Sequence, residues 1–250
     1  MTAPNVSNPT RSAATANQVR LPRTAALGPG RGEQPRLLID APAGAAEIYL
    51  HGATVTSWVP RGGAEVIFTS RQAVFDGATA IRGGIPLCLP EFGAGINGDA
   101  VPKHGWARIA PWRLRTVTST DDGGVRALLS VSRDHLTALC EIQIGETLRL
   151  GLSLRNDGTE PRTVEAAAHT YLSVHDVTAS LVSGLAGASY SDNLARSPQE
   201  LRQVQDGDVR ITGPVDRIYD SAEPVTVTDP GHRRAIHIDK RNAPSTIVWN

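Results

Sequence analysis

The stretch Leu148-Arg149-Leu150-Gly151-Leu152-Ser153-Leu154-Arg155-Asn156-Asp157-Gly158 decides the fold class. Its leucines fall on every second residue, and small or charged residues fill the positions between. That is the period of a strand with one buried face. Asn156-Asp157-Gly158 supplies a turn that accepts positive φ, and the run from Arg162 to Val174 is expected to pair back on the first as a hairpin. Upstream, Trp112 to Ser119 and Val125 to Arg133 flank Asp121-Asp122-Gly123-Gly124 and repeat the pattern. Further strands are predicted at 36–41, 45–50, 53–59, 138–144, 209–212, 224–228, 234–239 and 245–249. Many short strands with hardly one convincing helix predict an all-β chain, an antiparallel β-sandwich.

Composition excludes several classes. In 250 residues, 40% are hydrophobic and 20% charged, ordinary globular usage that rules out a wholly disordered chain, a coiled coil or a collagen. Acidic and basic residues balance at 25 each, so no overall field draws the chain to nucleic acid or an anionic membrane. Only Lys103 and Lys240 of the basic residues are lysine. The rest are arginines, whose planar fork suits phosphate or carboxylate. Cys88 and Cys140 lack metal or disulfide spacing and read as buried thiols. The expectation is a cytoplasmic protein, with no membrane-spanning run or signal core and a monomer as the default.

Residues 1–35 are rich in Ala, Thr, Asn, Pro, Ser and Gly and are expected to be a disordered tail. Their Pro and Gly content argues against an organelle-addressing helix. The domain is expected over 36–250. Within it, residues 76–111 break the strand pattern, dense in Gly and Pro yet retaining Ile, Leu, Phe and Trp. A loop of that length with apolar content is packed and functional more often than not.

Three clusters there and beyond could carry chemistry. Ile81-Arg82-Gly83-Gly84-Ile85-Pro86, continued by Leu89-Pro90-Glu91-Phe92-Gly93, combines close backbone approach with rigidity. Lys103-His104-Gly105-Trp106-Ala107-Arg108 holds an imidazole, an aromatic ring and a guanidinium together. Ala168-His169-Thr170-Tyr171 places a histidine on a small apolar strand, as an acid-base group in a cleft or, more commonly at such positions, a satisfied core histidine. The histidines have no HxH or HExxH spacing, no GxxxxGK[ST] cradles phosphate, and no GxSxG elbow occurs. Acid-base chemistry or binding is left.

IRGGIPLCLPEFG, KHGWARIAPWRL, AAAHTYLSV, VDRIY and the terminal TIVWN, in that order from about residue 36, resemble the aldose 1-epimerase superfamily, specifically its glucose-6-phosphate 1-epimerase branch. The resemblance implies a large antiparallel β-sandwich of the galactose mutarotase type, with a sugar in an open cleft. It implies interconversion of the α and β anomers of a hexose 6-phosphate, glucose 6-phosphate foremost, without metal or cofactor. Carried over by motif, His169 is the general acid at the ring oxygen and His104 holds or polarises the same region. Asp216 accepts hydrogen bonds from sugar hydroxyls. Arg82 and Arg108 match basic residues of the phosphosugar branch, with Arg71 a third; for Arg71 and Arg217 a solvated surface charge is at least as good a reading.

In the family the VWN motif is followed by a CxE-type strand whose glutamate is the general base, and this sequence ends at Asn250. Glu91, Glu141 and Glu165 are no obvious substitutes. The implied activity is therefore in question, with low stability as a further expectation. The alternatives are a sugar-phosphate-binding pseudoenzyme and an aldose 1-epimerase acting on free sugars.

Overall fold

Apolar residues at every second position drive the first two sheets together. The structure, a computed structural model, describes residues 19–250. One sheet orders Ala25–Pro29, Pro35–Ala41, Gly44–Tyr49 and Thr54–Pro60 consecutively, and a second orders Arg113–Ser119, Val125–Arg133, Leu136–Ile144 and Leu148–Asn156 in the same way. All these pairings are antiparallel. From the first sheet Leu37, Ile39, Ile48 and Val55 point inward, and from the second Leu129, Leu136, Ile142 and Ile144, forming one continuous core. The indole N–H of Trp58 donates to the Gly145 carbonyl at 3.1 Å and ties one sheet to the other. Each such aliphatic side chain, fully buried, stabilises the sandwich by roughly 1.5–3 kcal/mol.

Strands between Leu181 and Trp249 form two more four-stranded sheets. One runs in the order Val209–Arg210, Leu181–Ser183, Val225–Asp229, Arg234–Ile238, and the other Arg202–Val204, Ser189–Asp192, Asp216–Tyr219, Thr246–Trp249. Leu185, Tyr190, Val209, Ile211, Val215 and Tyr219 are buried between them as a second core. Arg234 bolts this part to the first. It pairs with the fully buried Asp229 and donates to the carbonyls of Glu65, at 2.9 Å, and Ser173. The only α-helix among the described residues is the single turn Pro198–Leu201.

Two expectations need correction. The run from Arg162 to Val174 does not fold back on Leu148–Asn156, whose partner is Leu136–Ile144. Its Ala167–Ala168 pairs instead with Leu87–Cys88. A period of two reveals which face is buried, not which strand lies alongside, and here the amides of the run are claimed by the Gly- and Pro-rich loop. The stretch expected to be a tail also contributes regular structure: Ala25–Pro29 is an edge strand on Pro35–Ala41. Main-chain pairing holds it, leaving Leu27 exposed, so no alternation announces it. The rest of that expectation, residues 1–18, lies outside the described residues.

Candidate active site

Three motifs far apart in sequence are brought together by main-chain hydrogen bonds around residues 84–90. His169 and Tyr171 donate their amides to the carbonyls of Pro86, at 3.0 Å, and Gly84, at 2.9 Å, which lays the third motif along the first. Leu89 receives the second: its amide donates to the His104 carbonyl at 3.3 Å, and its carbonyl accepts from Ala107 at 3.0 Å. The approach demands glycine. A Cβ on Gly105, at φ +67°, would lie 2.1 Å from the Leu89 carbonyl oxygen, and one on Gly83, at φ +106°, 2.6 Å from that of Phe68. His104 itself sits in the left-handed region at φ +64°, a conformation costly for a non-glycine residue and one that clusters at functional sites.

The result is a cavity of about 370 Å³ whose lining includes Arg82, Cys88, His104, Arg108, His169 and Tyr171. The His104 and His169 rings stand edge to face with centroids 6.1 Å apart, and Tyr171 stacks on His169 at 4.9 Å. Trp249, on the last strand, closes against both His169 and Tyr171 at 6.0 Å. On the outer wall His51, itself buried, bonds through Nε2 to the Thr79 carbonyl at 2.9 Å.

Electrostatics single out the two imidazoles. Burial holds the His104 pKa below its ordinary 6.5, with the charges of Arg108, His169 and Lys103 pressing the same way and Asp216 opposing. Burial likewise lowers His169; a bond with its own main chain opposes this, Arg108 adds to it, and Asp216 opposes it. Tyr171 is raised by burial, against the pull of Arg82 and Arg108. Cys88 is pushed up to about 11 by burial, so it is a protonated wall group at neutral pH and no nucleophile. Perturbed titratable groups gathered in a cleft are what make this cavity the candidate functional site.

Of the residues singled out from the sequence, Arg82, His104, Arg108 and His169 line this one cavity. Arg108 is anchored by a 2.8 Å bond from Nη2 to the Lys103 carbonyl, while its Nε is buried with no partner. Asp216 lies on the neighbouring sheet directly across from Trp249, and its Oδ1 accepts from Asn193 at 3.0 Å. It is the carboxylate whose charge both histidines feel. Arg71 is exposed and is not among the lining residues, although its neighbour Ser70 bonds the Arg82 carbonyl at 3.0 Å. Arg217 turns to Asp192 at 3.2 Å and lies 4.7 Å over the Tyr190 ring, a paired charge within its own sheet. Glu141 faces Arg126 at 3.8 Å on the sandwich, and Glu165 accepts the Phe92 amide at 3.2 Å. Sequence reasoning missed Tyr171 as a lining group and Trp249 as the ring packed behind it and His169. For Tyr171 the signal was present, because residues two apart on an extended run share a face with His169.

The fold is built of antiparallel sheets, with a histidine pair and two arginines lining one cavity, and comparison with known proteins gives the family to which it belongs. The aldose 1-epimerase family model matches residues 35–250, and the chain belongs to that family. It is 32% identical over 224 residues to a candidate glucose-6-phosphate 1-epimerase of Cenchrus ciliaris, covering 82% of this chain and 66% of that protein. A similarly named protein of Escherichia coli is 29% identical over 86% of this chain and 73% of its own length. The chain thus spans about two thirds to three quarters of these relatives. The crystal structure of a candidate mutarotase from Salmonella typhimurium superposes with a TM-score of 0.82 at 26% identity, over 93% of this chain and 79% of that one. A galactose mutarotase-like protein from Lactobacillus casei shares the fold at a TM-score of 0.63 and 16% identity, over 86% and 82%. No helix among the described residues is long and apolar enough to cross a membrane.

Proposed function

We propose that the chain interconverts the α and β anomers of a hexose 6-phosphate, with glucose 6-phosphate as the first substrate to test. The observation that carries this reading is the sharing of one cavity by His104, His169, Arg82 and Arg108. Two guanidinium forks suit a phosphate dianion, and imidazoles titrate near working pH.

In mutarotation the C1 hydroxyl loses its proton as the bond from C1 to the ring oxygen breaks and that oxygen gains a proton. Rotation of the open-chain aldehyde and reclosure give the other anomer. His169 supplies the proton to the ring oxygen and takes it back on closure. His104 donates a hydrogen bond to the same region, Asp216 accepts from hydroxyls, and Arg82 and Arg108 hold the phosphate, with Arg71 at the rim. The family resemblance assigns removal of the C1 proton to a glutamate on a strand after the VWN motif; with the described residues alone that proton passes to a water molecule in the open cleft and returns from it on closure.

The test is exchange between the anomers of glucose 6-phosphate followed by NMR, with glucose as control. Faster exchange of the phosphorylated sugar alone supports the proposal. Equal acceleration of both points to an aldose 1-epimerase for free sugars, and binding without exchange to a sugar-phosphate-binding protein.

A linked titration follows from the electrostatics. Burial and the charge of Arg108 favour the neutral form of both imidazoles in the free protein. A phosphate dianion beside Arg108 offsets that charge and favours the protonated imidazole. The midpoints of His104 and His169 are therefore expected below 6.5 in the free protein and higher with saturating glucose 6-phosphate, read from ¹⁵N shifts. Midpoints that stay put or fall would count against phosphate lying beside Arg108.

A further inference from the structure

Glu165 lies outside the cavity lining, and none of the roles above uses its carboxylate. It nevertheless holds the loop that carries His104's partner. The amide of Glu165 donates to the Pro90 carbonyl at 2.8 Å, and its Oε2 accepts the amide of Phe92 at 3.2 Å. Main chain and side chain of one residue thus grip two alternate residues of the loop. The next residue, Gly93, faces His104 through two bonds: the His104 amide donates to the Gly93 carbonyl at 2.7 Å, and the Gly93 amide donates to His104 Nδ1 at 3.1 Å. The Phe92 ring meets the His104 ring edge on at 5.0 Å.

An amide N–H can only donate, so Nδ1 of His104 must accept, and in the neutral ring the proton sits on Nε2. The partner of one ring nitrogen decides what the other presents. An unheld loop at 90–93 would leave Nδ1 free to take the proton, and Nε2 would become an acceptor.

We propose that Glu165 is a positioning residue: by holding the Phe92 amide it aims the Gly93 amide at His104 Nδ1 and so makes Nε2 a fixed hydrogen-bond donor. Its value to catalysis rests on the mutarotase reading above, in which His104 donates to the sugar. The tautomer itself is a property of the free protein and can be measured with no substrate present.

The test is a two-bond ¹H–¹⁵N correlation spectrum of histidine-labelled protein at pH 8, with His104 assigned by its loss in His104→Asn. Wild type is expected to show a bare Nδ1 and a protonated Nε2. Glu165→Ala is expected to lower the ratio of the two tautomers about tenfold, the factor carried by one ordinary hydrogen bond. Glu165→Gln keeps an acceptor for Phe92 and is expected to retain the wild-type pattern. His51, held by Thr79 on another wall, reports on folding and should be unmoved. A folded Glu165→Ala protein with wild-type His104, or a Glu165→Gln protein with a shifted one, overturns the proposal. Should alanine prevent folding, Glu165→Asp serves: it keeps the charge and the main-chain bond to Pro90 but is too short to reach Phe92, and an unshifted His104 in it is equally fatal. If these tautomer results hold while no sugar is turned over, the positioning role stands and the mutarotase reading alone fails.

Discussion

Replacing His169 with alanine is expected to slow anomer exchange of glucose 6-phosphate by about 10²- to 10⁴-fold, the contribution of one positioned acid-base group. The loss should fall on kcat with little change in KM, because His169 is assigned to the ring oxygen and not to the phosphate. The fold has little reason to fail. The bond that docks this residue runs from its amide to the Pro86 carbonyl, and alanine keeps it. The imidazole gives up ring contacts with His104, Tyr171 and Trp249, worth about 0.5–1.5 kcal/mol each at most. A melting curve near wild type together with near wild-type exchange would remove His169 from the reaction.

Arginine loss should separate the phosphorylated sugar from the free one. A charge-assisted hydrogen bond is worth about 1.5–3 kcal/mol, so Arg108→Met is expected to raise KM for glucose 6-phosphate by roughly 10- to 100-fold. Arg82→Met should act in the same direction and more weakly. Arg82 is exposed, whereas Arg108 is already fixed through Nη2 on the Lys103 carbonyl and loses less freedom on binding. Any slow exchange of free glucose should suffer far less than that of glucose 6-phosphate in either variant, and in Arg108→Met its change should come through the two neighbouring histidines. Arg108→Lys should recover only part of the loss, since an ammonium cannot make a fork. Because Arg108 also depresses both histidines, its removal is expected to raise their titration midpoints in the free protein. Variants that lose glucose and glucose 6-phosphate in equal measure would transfer the arginines from phosphate binding to general support of the cleft.

What the sequence disclosed follows the physics of each element. The sheets of the first sandwich were legible because Leu37 and Ile39, Ala127 and Leu129, and Leu136 to Ile144 alternate against one core. The sheets of the second part were only half legible. Ser189–Asp192 and Asp216–Tyr219 carry at least as many polar side chains as apolar ones and are set by their cross-strand partners, among them Tyr190 opposite Tyr219 and Asp216 opposite Trp249. The site was legible as motifs and not as geometry. Arg82, His104, Arg108 and His169 could be named, but that Leu89 joins two of the motifs depends on main-chain bonds that leave no trace in side-chain pattern. The misplaced hairpin at 162–174 has the same origin: the amides that hold it to the loop are invisible to periodicity.

The cleft draws its walls from positions as early as Thr79 and as late as Tyr171, and Trp249 packs from still further along the chain against two of them, His169 and Tyr171. Contacts so distant in sequence form slowly, because the loss of chain freedom precedes the gain in contact. During synthesis the sandwich of residues 25–156 has all its strands well before Thr246–Trp249 emerges. A growing chain is then expected to pass through an interval in which its histidines are assembled but open on one flank to the surrounding water. The arrival of the strand Thr246–Trp249 covers that flank, with Trp249 against His169 and Tyr171.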